Sequence, residues 1–594
     1  PAKWAPPQNS TPLHHPVDSW RNPHPKGKGC GKRHESTGTG RTDLNTFLRK
    51  RPYDVRVATT ETLPGQAMER EQPPSLRSWL SPPIPGGRLW GWLGPLLVTV
   101  FAGFLRFDRL ALPHAVVFDE TYYAKDSLAL LKFGYEHNTV QNADSILLAP
   151  GTDKWNPQIW SDGGSFIAHP PAGKWMIAIG EWLFGATPFG WRFMPALIGT
   201  LAVLVLARIA RRMTGSTLLG CAAGLLLALD GLELVTSRAA LLDIFVMFWI
   251  LCAFGCLVID RDRSRARLAE KIEANTIAGV GPRLGTGISS VVPGLGPFVM
   301  HWWRIAAGVC LGLSVATKWD GIFYIAAFGL MTVLWDWGAR RAAGVQNPGR
   351  GALLLEAPLS VVSLVLVAGI TYLVSWSGWI FTSGGWGRGT MASNPLWRPF
   401  EAMPKLWSYH QEMWHFHTTL KTKHPYQSWP WDWPVLRRPV AFFYTEPSTG
   451  CGASKCSREI LGIGTPVLWW SAVVALVVLA VVWLLHRDWR AGAILAGYLA
   501  GWVPWFPSAF GHRTMFLFYA TPMLPFMCLA LVLVMGMIIG PATDTGLRRV
   551  LGSAAAGAFM LVVLVNFGYL YPVLAARVIP WSDWDARMWL QSWI

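Results

Sequence analysis

Asp119 and Glu120 stand side by side in VVFDETYYAKD (116–126), just past the first strongly apolar run of the chain. Adjacent carboxylates repel each other, and desolvating either one beside a bilayer is costly. The chemistry that justifies such a pair is proton abstraction, because an alcohol becomes a better nucleophile when a carboxylate takes its proton. Basic residues recur in turns that are too short to need them. Arg238 lies with Glu233 and Asp243 in ELVTSRAALLD, Lys318 with Asp320 in TKWDG, and Arg513 beside His512 in GHRTMF. Cations of this kind neutralise phosphate, and stabilising developing charge often contributes more to catalysis than any other effect. Together these groups imply transfer from a lipid-linked phosphate to a hydroxyl. Asp119 or Glu120 would deprotonate the acceptor, and Arg238, Lys174, Lys318 or Arg513 would neutralise the departing phosphate. The residues themselves do not identify the sugar.

The elements that must position these groups follow from composition. The chain has 594 residues, of which 52% are hydrophobic and only 15% charged. That balance, with a mean hydropathy of +0.29, places it among polytopic membrane proteins, and 35 Trp and 28 Phe suit interfacial belts and aromatic-lined cavities. The fold class expected is all-α. Windows of about 20 apolar residues mark eleven transmembrane helices near 88–107, 189–208, 217–234, 241–259, 303–317, 320–337, 354–376, 464–486, 491–508, 514–538 and 550–571. An amino terminus in the cytoplasm puts ARIARRM, RDRSRARLAEKIE, GARRAAGVQNPGR, HRDWR and GLRRV inside, all basic, as the positive-inside rule requires. Asp119, the first outer loop 108–188, the large outer loop 377–463 and the C-terminal segment 581–594 then lie outside. Helix 173–184, with Trp175, Ile179 and Trp182 on one side, reads as lying in the interface.

Several features carry blander readings. The net charge of +17 fits topology signals and anionic membrane lipids, and no motif for nucleic acid is present. Residues 1–67 are polar and Pro-rich, with no methionine before Met68; the stretch 1–87 reads as a cytoplasmic, disordered tail that a misplaced start could have added. GVGPRLGTG (279–287) lacks the strand and the Lys-Ser/Thr ending of a phosphate loop and reads as a linker. Cys221, Cys252, Cys256, Cys310 and Cys528 are intramembrane, whereas Cys451 and Cys456 fall in the outer loop, where a disulfide can form. His410, His415 and His417 lack metal-ligand spacing, so hydrogen bonding within the outer loop is the expectation and no metal site is assigned.

Five motifs in order resemble those of the actinobacterial protein O-mannosyltransferases of the GT-C superfamily: FDETYYAKD, HPPAGKW, SRAALLDIFVMFW, ATKWDG and HRTMFLFYATPMLPF. YHQEMWHFH and KHPYQSWPWDWPVLRRP resemble the family's outer loop, and the likeness spans 88–580. It implies a GT-C membrane domain and an inverting transfer of mannose from polyprenyl-phosphate mannose to Ser or Thr of exported polypeptides. No cofactor is obligatory, and a divalent cation at the phosphate is left open. By this resemblance Asp119 is the base, Glu120 assists it through position or pKa, and Arg238 binds the lipid phosphate. His169, Lys174, Asp243, Lys318 and Arg513 are candidates for the phosphate or sugar. Tyr123, His410, His417 and Tyr426 are candidates for the acceptor or for outer-loop contacts. The site would face outward from a multi-pass plasma-membrane protein, and secretion machinery is a conceivable partner. The outer loop is too short for the β-trefoil domain of eukaryotic relatives. Rival readings are an arabinosyl or aminoarabinosyl transferase of the same superfamily and, more remotely, a transporter, which would place its ionisable groups near the midplane on repeated halves.

Overall fold

The computed structural model describes residues 75–594, apart from 86, 88, 278–293 and 544. The tail before it, with Cys30, and the linker 279–287 lie outside the described residues. Long apolar runs form helices because only helices satisfy their own backbone groups in lipid. Among the described residues eight helices are long and apolar enough to cross a membrane. They are α1 (Trp90–Phe107), α4 (Pro188–Thr214), α7 (Asp243–Ile277), α9 (Gly321–Ala342), α10 (Pro348–Ser375), α12 (Pro466–His486), α14 (Leu517–Ile539) and α15 (Leu547–Leu574).

The difference from eleven has local causes. The run 217–234 is broken into α5 (Thr217–Ala228) and α6 (Gly231–Ser237), bent by 66°, which makes a ninth span if the pair is counted as one. Asp230 caps α6 by accepting from Glu233 N, and it also accepts from Trp469 Nε1 at 2.7 Å, so the break is satisfied inside the protein. The other two, α8 (Trp302–Val315) and α13 (Trp489–Trp502), have 14 residues each. At 1.5 Å per residue each is about 21 Å long, short of a hydrocarbon core of about 30 Å. Helix α8 nonetheless packs tightly, because a Cβ on Gly308 or Gly312 would collide with the backbone of Ser363 or Ala368 in α10. Small residues four apart permit this backbone approach.

The first outer loop carries α2 (Glu120–Phe133), the hairpin β1 (His137–Thr139) with β2 (Trp160–Gly164), and α3 (Ala172–Phe184). The large outer loop carries α11 (Arg398–Thr419), β3 (Val440–Thr445) and β4 (Cys456–Gly462), with Cys451 and Cys456 joined in a disulfide. Strand β5 (Val578–Pro580), beyond α15, pairs antiparallel with β4. The two small sheets are thus additions to the helical architecture. Residues 581–594 are not a free tail: Trp584 Nε1 donates to Glu459, and Trp593 Nε1 to the carbonyl of Leu436 at 2.7 Å.

The helix ends differ in character. Helices α4 and α9 finish on Arg211–Arg212 and Arg340–Arg341, and α7 carries Arg261, Arg263, Arg265 and Arg267 in its second half. Arg212 pairs with Asp262 at 2.8 Å, which joins the end of α4 to that stretch of α7. The opposite ends of α7 and α9 begin at Asp243 and Asp320.

Candidate active site

The two adjacent carboxylates part company in the structure. Phe118 has φ +46°, a backbone conformation unfavourable for a bulky residue. Its ring is held against Phe442 (centroids 4.8 Å apart), Phe518 and Phe516. The turn this fixes sends Glu120 inward. Glu120 is fully buried and accepts from Arg192 Nε at 2.7 Å and Nη2 at 2.8 Å, and from the backbone N–H of Val117 and Ala240. Its oxygens are committed to Arg192 and to two backbone N–H groups, an arrangement that suits the expected assistance through position.

Asp119, at the start of α2, is half-buried and makes no side-chain hydrogen bond with the described residues. Desolvation raises its carboxyl to about 6; nearby Lys318 opposes the rise and Asp243 adds to it. Lys318 Nζ donates to Asp243 at 2.8 Å and lies 5.2 Å from the centre of the Tyr519 ring. The turn that carries it is clamped onto α3: Ala172 N–H donates to Ala316 O, and a Cβ on Gly173 would meet Thr317 and Leu242 at under 3 Å. The segments that carry Lys318 and Asp243 are thus held near Asp119, whose carboxyl both charges influence.

The histidines join from the side. His169 stacks 5.2 Å from His417 and 6.4 Å from Tyr123. Burial, followed by the charges of Lys318, His417, Lys174 and Arg513, holds His169 well below its usual value, and its Nδ1 has no partner among the described residues. Burial likewise lowers His417 to about 4, with Arg513 and Lys318 adding to the effect. Both rings are neutral at pH 7 and suit hydroxyl groups better than phosphate. Arg513 Nε donates to His417 O at 2.8 Å, leaving a half-buried guanidinium against this group.

Two further candidates for the phosphate, Lys174 and Arg238, make bonds within the protein. Lys174 is fully buried, paired with Glu136 and donating to His169 O at 2.9 Å, so it shapes the His169 loop. Arg238 Nη1 donates to the carbonyls of Leu105, Arg106 and Asp108 at 2.8–2.9 Å, closing the C-terminal end of α1. The charges that act most on Asp119 are those of Lys318 and Asp243. Arg238→Ala is therefore expected to lower stability by about 1–3 kcal/mol by leaving carbonyls unpaired, which thermal unfolding in detergent would read. His410 bridges Tyr372 and the carbonyl of Leu406, each at 2.6 Å, and Tyr426 packs on His424 and under Arg438. These two support the outer loop and make no contact with Asp119.

Among the described residues, His301, Asp336 and Glu356 bring three ligand-type atoms within 4.8 Å of one another. Arg304 and Arg340 already pair with Asp336 and Glu356. His301 also bonds Asp260, which lies 17 residues along α7 from Asp243, about 25 Å away. This charge-balanced network belongs to the basic ends of the helices, away from Asp119.

Residues 96–300 match the family described as dolichyl-phosphate-mannose-protein mannosyltransferase, and residues 402–593 match the C-terminal four TMM region of protein-O-mannosyltransferase. A polyprenol-phosphate-mannose–protein mannosyltransferase of Mycolicibacterium smegmatis is 36% identical over 524 residues, covering 86% of this chain and 94% of that protein. The chain belongs to the protein O-mannosyltransferase family. Its Corynebacterium glutamicum relative of the same name is 33% identical over 557 residues, covering 90% of this chain and 100% of that protein. The fold resembles that of the Saccharomyces cerevisiae Pmt1-Pmt2 complex bound to the sugar donor, with a TM-score of 0.61 at 14% identity, covering 87% of this chain and 94% of that one.

Sequence reasoning missed Arg192 and Glu136, the partners that lock Glu120 and Lys174 in this member of the family. Arg192 was findable, because a lone cation inside the apolar run PFGWRFMPALIGTL demands a buried partner. Glu136 follows a turn with no periodic signal, so nothing in the sequence pointed to it.

Proposed function

We propose that the chain transfers mannose, with inversion, from a polyprenyl-phosphate mannose to Ser or Thr hydroxyls of exported polypeptides. The site faces the extracytoplasmic side of the plasma membrane. The names of the relatives support the donor and the protein acceptor. The sidedness rests on the arginines that close α4 and α9 and on Arg261, Arg263, Arg265 and Arg267 in the second half of α7, which the positive-inside rule assigns to the cytoplasm.

One observation carries the mechanism: the Asp119 carboxylate is unpaired and raised to about 6 beside Lys318. The acceptor oxygen attacks C1 of mannose as its proton passes to Asp119. The C1–O bond to phosphate breaks, and the polyprenyl phosphate leaves with the electron pair. Lys318 and Arg513 meet the developing negative charge, while neutral His169 offers Nδ1 to a sugar hydroxyl and His417, bonded to Ala168 O, steadies the loop beside it. Glu120 and Lys174 hold the loops that carry Asp119 and His169.

Membranes containing the chain, given radiolabelled polyprenyl-phosphate mannose, should incorporate label into polypeptide that alkaline β-elimination releases. Label confined to lipid or polysaccharide would overturn the reading. The base must be deprotonated, and its pKa lies above the ordinary carboxylate range. Transfer per unit donor should therefore rise about tenfold per pH unit up to about pH 6 and level off above it. A pH–rate profile of kcat/KM checks this; a limb breaking near pH 4 would point to an unperturbed carboxylate.

A further inference from the structure

The C-terminal halves of α2 and α3 enclose a cavity of about 220 Å³ whose mouth and walls include Lys132, Trp155, Asn156, Trp160 and Trp182. Its lining also includes Glu181, which is 1% exposed. One oxygen of Glu181 accepts from Ser127 Oγ at 2.8 Å, whereas Oε1 has no partner among the described residues. Nε1 of Trp160 is buried and unpaired as well. Both residues line the cavity, so a ligand seated there lies beside a buried acceptor and a buried donor whose missing partners carry a cost.

The surroundings narrow the class of ligand. Lys132 brings one cation to the mouth, bonded to Asn156 at 2.7 Å and lying 5.7 Å from the Trp160 ring. The adjacent face of α3 exposes Ile179, Trp182, Leu183 and Phe184, an apolar flank of the type that sits among lipids at the interface. A site with hydroxyl-binding groups inside, a cation at the rim and an apolar flank matches a phospholipid better than a soluble sugar or a peptide. We propose that this cavity binds the headgroup of a polyhydroxylated anionic phospholipid, with its hydroxyls on Glu181 and Trp160 and its phosphate on Lys132. The acyl chains lie along the exposed flank of α3. Burial pushes the Glu181 carboxyl well above its ordinary range, so that it can donate to a headgroup oxygen as well as accept.

The site has a consequence for the rest of the molecule. Asp119 opens α2, and Lys174 with the His169 loop opens α3, so a lipid seated between the other ends of these helices ties together the two elements that carry the proposed site. The test reads binding and so does not depend on the mannosyl-transfer reading. Full-length protein in detergent would be titrated by native mass spectrometry with phosphatidylglycerol, phosphatidylinositol and phosphatidylcholine. Lys132→Ala is an exposed change, Glu181→Gln preserves shape, and Trp160→Phe removes only the N–H donor and part of the ring. The first two lipids should be retained about tenfold more strongly than phosphatidylcholine, and each variant should lose that preference. Equal retention of all three lipids, or a preference that survives Glu181→Gln and Lys132→Ala together, would overturn the proposal and leave general lipid contact only. Preferential capture of free methyl mannoside would overturn it in favour of a sugar site.

Discussion

Asp119→Asn should leave a folded, membrane-inserted protein whose transfer rate falls by about 10²- to 10⁴-fold, the range for loss of a positioned general base. Folding should survive because the Asp119 carboxylate has no hydrogen-bond partner to lose. The sign of the stability effect follows from linkage. Its pKa in the folded chain, about 6, exceeds the ordinary aspartate value of 3.8, so the folded state holds the proton more tightly and ionisation above about pH 6 works against folding. The amide removes that opposition, and the thermal midpoint at pH 7–8 should stay level or rise slightly while activity collapses. Rates on purified protein, normalised to the folded fraction, check both halves. Activity within a factor of a few of wild type would remove Asp119 as the base.

Arg192→Ala should produce the largest loss of stability, about 3–5 kcal/mol, because it strands Glu120 as an uncompensated buried charge. It also strips the carbonyls of Leu110, Pro113 and Ala115 of their donor. Those carbonyls and Glu120 define the turn that presents Asp119, so whatever folds should transfer poorly. Glu120→Gln is the milder probe. It weakens the pair but keeps Asp119 as the base, so its pH–rate profile should retain a limb breaking at the base's pKa even as the rate falls. Loss of that limb in Glu120→Gln with the protein still folded would assign the proton transfer to Glu120 instead.

Much of this arrangement was legible in the chain. Charge in short turns singled out Arg238, Lys318 and Arg513 on the side of Asp119, because such residues have no cheap solvated alternative beside a membrane, and Lys318 is the one whose charge acts most on Asp119. The apolar runs placed the eight helices long and apolar enough to cross a membrane. What hydropathy could not separate was a full span from a 14-residue helix, as with α8 and α13, since window averages extend over flanking aromatic residues such as Trp505 and Phe506. It also could not rank neighbouring carboxylates or equivalent cations. Whether Asp119 or Glu120 faces inward depends on the backbone at Phe118, and whether Arg238 or Lys318 meets Asp119 depends on which carbonyls the end of α1 leaves open. Both are settled by packing between segments far apart in the chain.

The mechanism turns on where the lipid phosphate sits relative to Asp119. A structure of the full chain with a non-hydrolysable polyprenyl-phosphate mannose analogue tests this most directly. The phosphate should lie against Lys318 and Arg513, with Asp119 within hydrogen-bond reach of the space beside mannose C1. A phosphate seated on Arg238 and Arg577, with Asp119 turned away from the sugar, would contradict that placement and the role of Asp119 with it.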